Sequence, residues 1–217
     1  MDELFDTHCH IHEAERGYQL GTETQKKYKK AGFPSPDTFI SNARAEGVSR
    51  MLCVGTTVED SELAVEFVQS REGLWASIGI HPHEADQYAQ DVSRRERFAA
   101  LAAKPKVVAI GECGLDYYYN NSTADAQKQI LRFQIELALR HNLPMVFHVR
   151  NAFKDFWPIF DSYTGIRGVI HSFSSDKYDL DEILKRGLYV GLNGITTFMK
   201  DANQIAAFKT VPLNRIL

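Results

Sequence analysis

The sequence has little of what several protein classes need. Its three cysteines, Cys9, Cys53 and Cys113, are odd in number, widely spaced and never in a C-x-x-C pair. That excludes a disulfide framework and a cysteine-built zinc finger, and leaves them as small buried residues. No run approaches the ~18 consecutive apolar residues of a membrane helix. The start, Met1-Asp2-Glu3, is acidic where a secretory leader is basic and then apolar. A cytoplasmic monomer with no membrane partner is the expectation. The formal net charge of −3 excludes nucleic-acid binding through a broad basic surface, but not binding in which metal ions supply the positive charge. Neither G-x-G-x-x-G nor G-x-x-x-x-G-K-[ST] occurs. There is no G-x-S-x-G elbow, and His12-Glu13 lacks the second histidine of a zincin helix. Low-complexity linkers and repeats of 20 to 50 residues are missing as well.

What remains is a chain of 217 residues with 44% apolar and 11% aromatic content, long enough to fold as one domain over residues 1–217 without staples. Short apolar runs alternate with segments of helical spacing. The runs are Leu4 to His8, Met51 to Gly55, Trp75 to Ile80, Val107 to Gly111, Met145 to Val149, Gly168 to His171 and Leu188 to Leu192, with an eighth begun at Arg215 to Leu217. Several are continuously apolar and rich in Val and Ile, as in strands buried on both faces of a parallel sheet. Helices are legible from Pro36 to Glu46, Glu59 to Ser70, Ser93 to Ala103, and from a cap at Ser122 or Thr123 to about Asn142. Alternation of this kind leaves an open doubly wound sheet or a closed barrel. The polar residues favour an α/β fold of the TIM-like (β/α)-barrel type, because His8, His10, Glu112, His148 and His171 fall at or just past the C-terminal ends of four different strands, where barrels collect their reactive groups.

Strand parity sends His8 and His10 to one face with Cys9 turned away, so two imidazoles can converge on one ion. Asp6 shares that parity and can orient a ligand from behind. Glu112 ends the apolar run Val107-Val108-Ala109-Ile110, and a carboxylate there needs compensation. Each histidine alone reads equally as a core residue. Four strands ending together in metal-ligating types point to a nitrogen- and carboxylate-ligated metal site. In Ile80-His81-Pro82-His83 the proline disturbs strand geometry, so His81 is read as a substrate-binding or supporting group. Arg150, two residues past His148, aims a guanidinium suited to phosphate at the same mouth.

In sum of motifs the chain resembles the TatD family of metal-dependent hydrolases. Phe5-Asp6-Thr7-His8-Cys9-His10 is similar to the family's D-x-H-x-H, and Gly79-Ile80-His81-Pro82-His83 to its G-x-H-P-H. The run Gly111-Glu112-Cys113-Gly114-Leu115-Asp116-Tyr117 resembles G-E-x-G-L-D-[YF], Leu143 to Arg150 resembles L-P-x-x-x-H-x-R, and His171-Ser172-Phe173-Ser174 resembles H-x-F-S. The resemblance implies a barrel hydrolase of the metal-dependent type, cleaving phosphodiester bonds of nucleic acid, single-stranded DNA foremost, as an exodeoxyribonuclease with a water activated by two divalent ions. It places His8 and His10 on one ion, His148 and His171 on the other, and Glu112 between them. Histidine-rich ligation suits zinc, manganese or iron, whereas relatives are often described as magnesium-dependent, so Zn, Mn and Mg all stay open.

Two departures accompany the resemblance. The family's last ligand, an aspartate just after strand eight that also serves as the proton acceptor, is expected beyond Leu217. The chain therefore reads as breaking off within or just after that strand, short of the ~250 residues of a complete barrel, with a weak first site and poor turnover. The segment from Glu13 to Pro36 is long and carries Lys26, Lys27, Lys29 and Lys30, which either contact a nucleic-acid backbone or form a solvated face. The alternatives are deacylation of D-aminoacyl-tRNA or another ester or amide hydrolysis on the same site, and a non-catalytic remnant.

Overall fold

A computed structural model describes residues 3–15, 27, 30–32, 35–119 and 121–217. Seven parallel strands lie in sequence order in one sheet. They are β1 (Leu4–Cys9), β2 (Val48–Val54), β3 (Leu74–Ile78), β4 (Val107–Asp116), β5 (Met145–Arg150), β6 (Gly168–Ile170) and β7 (Tyr189–Val190). Between them run α1 (Pro36–Ala45), α2 (Val58–Gln69), α3 (Asp86–Ala89), α4 (Val92–Ala99), α5 (Ala124–His141), α6 (Phe153–Phe160) and α7 (Lys177–Lys185), with α8 (Ala202–Phe208) after β7. Consecutive strands joined by crossover helices curl the sheet into the greater part of a (β/α) barrel, as the alternation predicts.

The helix ends follow local chemistry. Thr57, Asp91, Thr123, Asp176 and Asp201 each cap a helix N-terminus by accepting a backbone N–H, satisfying donors the helix leaves free. The α5 helix stops at Asn142, which takes the left-handed conformation, and Pro144 follows. Its buried side chains, among them Ile130, Leu131, Ile135 and Leu137, join the layer between sheet and helices. A smaller apolar cluster of Leu52, Val54, Ala109, Val146 and Val169 fills the concave side. Cys53 and Cys113 are buried and Cys9 half-buried, all three as free thiols, in keeping with a packing role.

Parity along the strands then decides what reaches the mouth. Above Val146, residues 148 and 150 share its face; above Val169, residue 171 does. On β4 the pairing with β5 slips between Ile110 and Cys113. This irregularity changes which parity faces inward, from Ala109 below it to Glu112 and Asp116 above it.

The last apolar run differs from the expected strand. Leu213–Arg215 forms a 3₁₀ turn, and pairing begins only at Ile216, which bridges Val190, with the Leu217 N–H donating to Val190 O. Among the described residues β1 pairs only with β2. A cleft lined by Asp6, His8, His171, Gly191 and Leu217 lies between β1 and the chain after β7.

Candidate metal centre

Glu112 is 6% exposed and sits among imidazoles rather than beside a lysine or arginine. One carboxylate oxygen, Oε2, lies 3.4 Å from His8 Nε2. The other, Oε1, lies 2.9 Å from His148 Nδ1, 3.7 Å from His81 Nε2 and 4.0 Å from His171 Nε2. His8 and His10 bring their Nε2 atoms to 3.2 Å, a separation that two nitrogens each about 2.1 Å from a shared ion have. The His8 and His171 rings stack with centroids 3.4 Å apart. Two sets of potential ligand atoms emerge, His8, Glu112 and His171, and His81, Glu112 and His148, each within 4.8 Å. All five residues read from the sequence as ligands therefore converge, and His81 joins them.

The supporting contacts fix which nitrogen each ring presents. His10 Nδ1–H donates to Val54 O at 2.8 Å, which turns Nε2 toward His8. His148 Nε2–H donates to Asp116 Oδ2 at 2.8 Å, which turns Nδ1 toward Glu112. Orientation of this kind, from the far nitrogen, is how metal-binding histidines are set. His81 is held the opposite way: its Nδ1 accepts the His83 backbone N–H at 3.2 Å, so the neutral ring carries its proton on Nε2 and offers a donor to the centre. This geometry favours the binding role read for His81 over ligation. His8 Nδ1 is buried with no partner among the described residues.

The electrostatics fit a dication. Burial lowers the pKa of His81 and of His171 to about 3, keeping both rings neutral, as a metal-ligating imidazole must be. Burial alone would raise the Glu112 pKa, but the His148 and His8 hydrogen bonds outweigh it and hold the carboxyl well below its ordinary range. His148 is opposed by burial too, yet its bonds to Asp116 and Glu112 raise its pKa to about 9. A buried carboxylate with two accessible oxygens, ringed by imidazoles, suits divalent transition ions.

Asp116 and His83 were not singled out by sequence reasoning. Asp116 is 1% exposed. Its Oδ2 accepts from both His148 and His83, the latter at 3.0 Å, and its Oδ1 accepts the Tyr118 and Tyr119 backbone N–H groups at 2.9 and 3.1 Å. Asp116 lies four residues past Glu112 on the same strand, beyond the slip in pairing that brings both inward. Arg150 lines a cavity of about 390 Å³ together with His148 and His171, at the mouth where it was expected. Of the lysine group, Lys27 and Lys30 are exposed, while Lys26 and Lys29 lie outside the described residues.

A curled parallel sheet that gathers a buried carboxylate and five imidazoles at its strand ends defines a barrel-type metal-dependent hydrolase. The family model for TatD related DNase matches residues 5–217. The chain is 38% identical to a "3'-5' ssDNA/RNA exonuclease TatD" of Cronobacter sakazakii over 83% of its own length and 69% of the relative's. It is 35% identical to a "Deoxyribonuclease Tat-D" of Schizosaccharomyces pombe over 83% of its length and 61% of the relative's. A TatD family hydrolase from Entamoeba histolytica superposes with a TM-score of 0.83 at 24% identity, covering 99% of this chain and 72% of that one, which speaks to the fold. The chain belongs to the TatD related DNase family, and with it to the metal-dependent hydrolases that cleave phosphodiester bonds of nucleic acid. No helix among the described residues is long and apolar enough to cross a membrane.

Proposed function

We propose that the chain trims single-stranded nucleic acid from its 3′ end with two divalent ions, manganese, zinc or magnesium, held on either side of Glu112. The observation that carries this reading is the split of that carboxylate, with Oε2 toward His8 and Oε1 toward His148 and His171. His8 and His10 would hold one ion, and His148 and His171 the other. Bound there, the ions supply Lewis-acid activation of water and offset the charge of the phosphodiester.

The chain's own groups do the rest. Arg150 binds a phosphate oxygen at the mouth, where a guanidinium offers several donors in a fixed fork. The His81 Nε2–H donates to a second oxygen. Val54 O and Asp116 keep His10 and His148 turned to the centre, so the ligands need no reorganisation when substrate arrives. The 3′ polarity and the preference for single strands rest on the names of the relatives.

The test is a 5′-labelled oligonucleotide incubated with the chain and manganese. Shortening from the 3′ end, abolished by chelation and by Glu112→Gln, is the expected result. Cleavage that persists in Glu112→Gln would overturn the assignment.

A further inference from the structure

The loop after β4 presents two tyrosines to solvent, Tyr118 at the rim of the cavity that holds His148 and His171 and Tyr119 beside it. Tyr118 is 55% exposed and Tyr119 46%. The Arg150 guanidinium lies 3.9 Å from the Tyr118 ring centroid and 4.9 Å from that of Tyr119. The two rings meet edge to face at 4.7 Å, and Tyr119 abuts His83 at 5.5 Å. Among the described residues the Arg150 side chain makes no hydrogen bond or ion pair. A cation free of acidic partners, layered on aromatic faces, is the composition of sites that bind single strands: rings take bases and the guanidinium takes phosphate.

The pair is built rather than incidental. Asp116 Oδ1 pins both tyrosine N–H groups, and the same carboxylate holds His148 through Oδ2. Gln127 of α5 braces Asp116 from behind, accepting its N–H at 2.8 Å and donating to its carbonyl at 3.1 Å. The rings thus stand at a fixed offset from the metal centre. The cavity of about 390 Å³ is at the small end of ligand sites, roughly 300–1,000 Å³, and takes one nucleotide rather than a base pair. A second cavity shares Asn151, Phe153 and Ser175 with it and carries the path onward between α6 and α7.

We propose that Tyr118 and Tyr119, with Arg150 layered on them, form the subsite that seats the unpaired terminal base next to the scissile phosphate, and so select single strands. This rests on the nuclease reading above and specifies which residues choose the substrate.

The experiment measures equilibrium binding, in EDTA, of a 5′-fluorescein dodecamer of thymidine and of the same strand with an abasic 3′-terminal residue. The native chain is expected to bind the intact strand about tenfold more tightly, at the low end of what stacking of one base gives. Tyr118→Ala/Tyr119→Ala should bind both strands alike, at the native affinity for the abasic one, and Tyr118→Trp should restore the preference. Thermal melts of the variants should match the native chain, because the rings are exposed. A double variant that keeps the preference overturns the proposal. So does one that loses the same factor on both strands, or a native chain that binds neither. A parallel manganese assay separates the two readings. Base preference without cleavage removes the nuclease and leaves the subsite, whereas cleavage without base preference removes the subsite alone.

Discussion

Asp116 accepts a hydrogen bond from His148 at 2.8 Å, and through that bond it decides which ring nitrogen faces Glu112. Burial would raise the Asp116 pKa, but the bonds from His148, Tyr119 and His83 prevail and hold its carboxyl well below the ordinary range. The group is a permanent anion behind His148. Asp116→Asn keeps the shape and removes the charge. It is expected to weaken divalent-ion binding by about 10- to 100-fold, the usual cost of losing such a partner. Isothermal titration with manganese checks this, and Asp116→Glu should recover part of the affinity.

Proton release should accompany metal binding. The raised His148 pKa of about 9 means that the ring carries a proton at neutral pH, which an ion must displace. Metal affinity should therefore climb with pH and level off near 9. Titrations in two buffers of different ionisation enthalpy would report close to one proton released from this site at pH 7. An affinity flat between pH 6 and 9 would contradict the assignment.

The metal-free chain should show a stability maximum near pH 6.5. His148 has a folded pKa of about 9 against 6.5 when unfolded, so its contribution is fully present below 6.5 and is lost as pH rises through 9. His81 and His171, at about 3 against 6.5, act in the other direction: the unfolded chain takes up protons first, and stability falls as pH drops below 6.5. Melting curves in EDTA across pH 4 to 9 test both limbs, and Asp116→Asn should flatten the alkaline one.

Gly114 joins the two halves of the site. Its φ is +151°, and a Cβ there would lie 1.9 Å from the His148 carbonyl oxygen. Gly114→Ala must push β4 from β5 at the register of His148. A loss of about 3 kcal/mol, combining backbone strain and overpacking, corresponds to a melting temperature lower by roughly 6–12 °C in a chain of this size. Calorimetry checks the figure.

The candidate ligands were legible in the sequence because Glu112, His148 and His171 each close an apolar run and His8 and His10 share one strand parity, and a strand that ends in a polar group advertises its mouth. Barrel architecture followed from the same runs. The role of Asp116 was not legible, since simple alternation from Ala109 turns residues 112 and 116 outward, and only the slip in pairing between Ile110 and Cys113 brings them in. Tyr118 and Tyr119 lie in a loop with no periodicity to read, so their place beside Arg150 needed the fold. The tautomer of His81 depended on a turn at Pro82–Glu84, where the sequence showed only that proline would disturb the strand. At Arg215 to Leu217 apolar character suggested a strand, but Pro212 leads into a 3₁₀ turn and only the last two residues reach β7.

Glu112 is where both halves of the centre meet, so the most direct measurement counts ions and follows cleavage in the native chain and in Glu112→Gln. Two divalent ions per chain are expected at saturating manganese, with metal-dependent shortening of a single-stranded oligonucleotide. Both should be lost when Glu112 becomes Gln, while the metal-free fold remains. Two ions retained in the variant, or cleavage independent of Glu112, would contradict it.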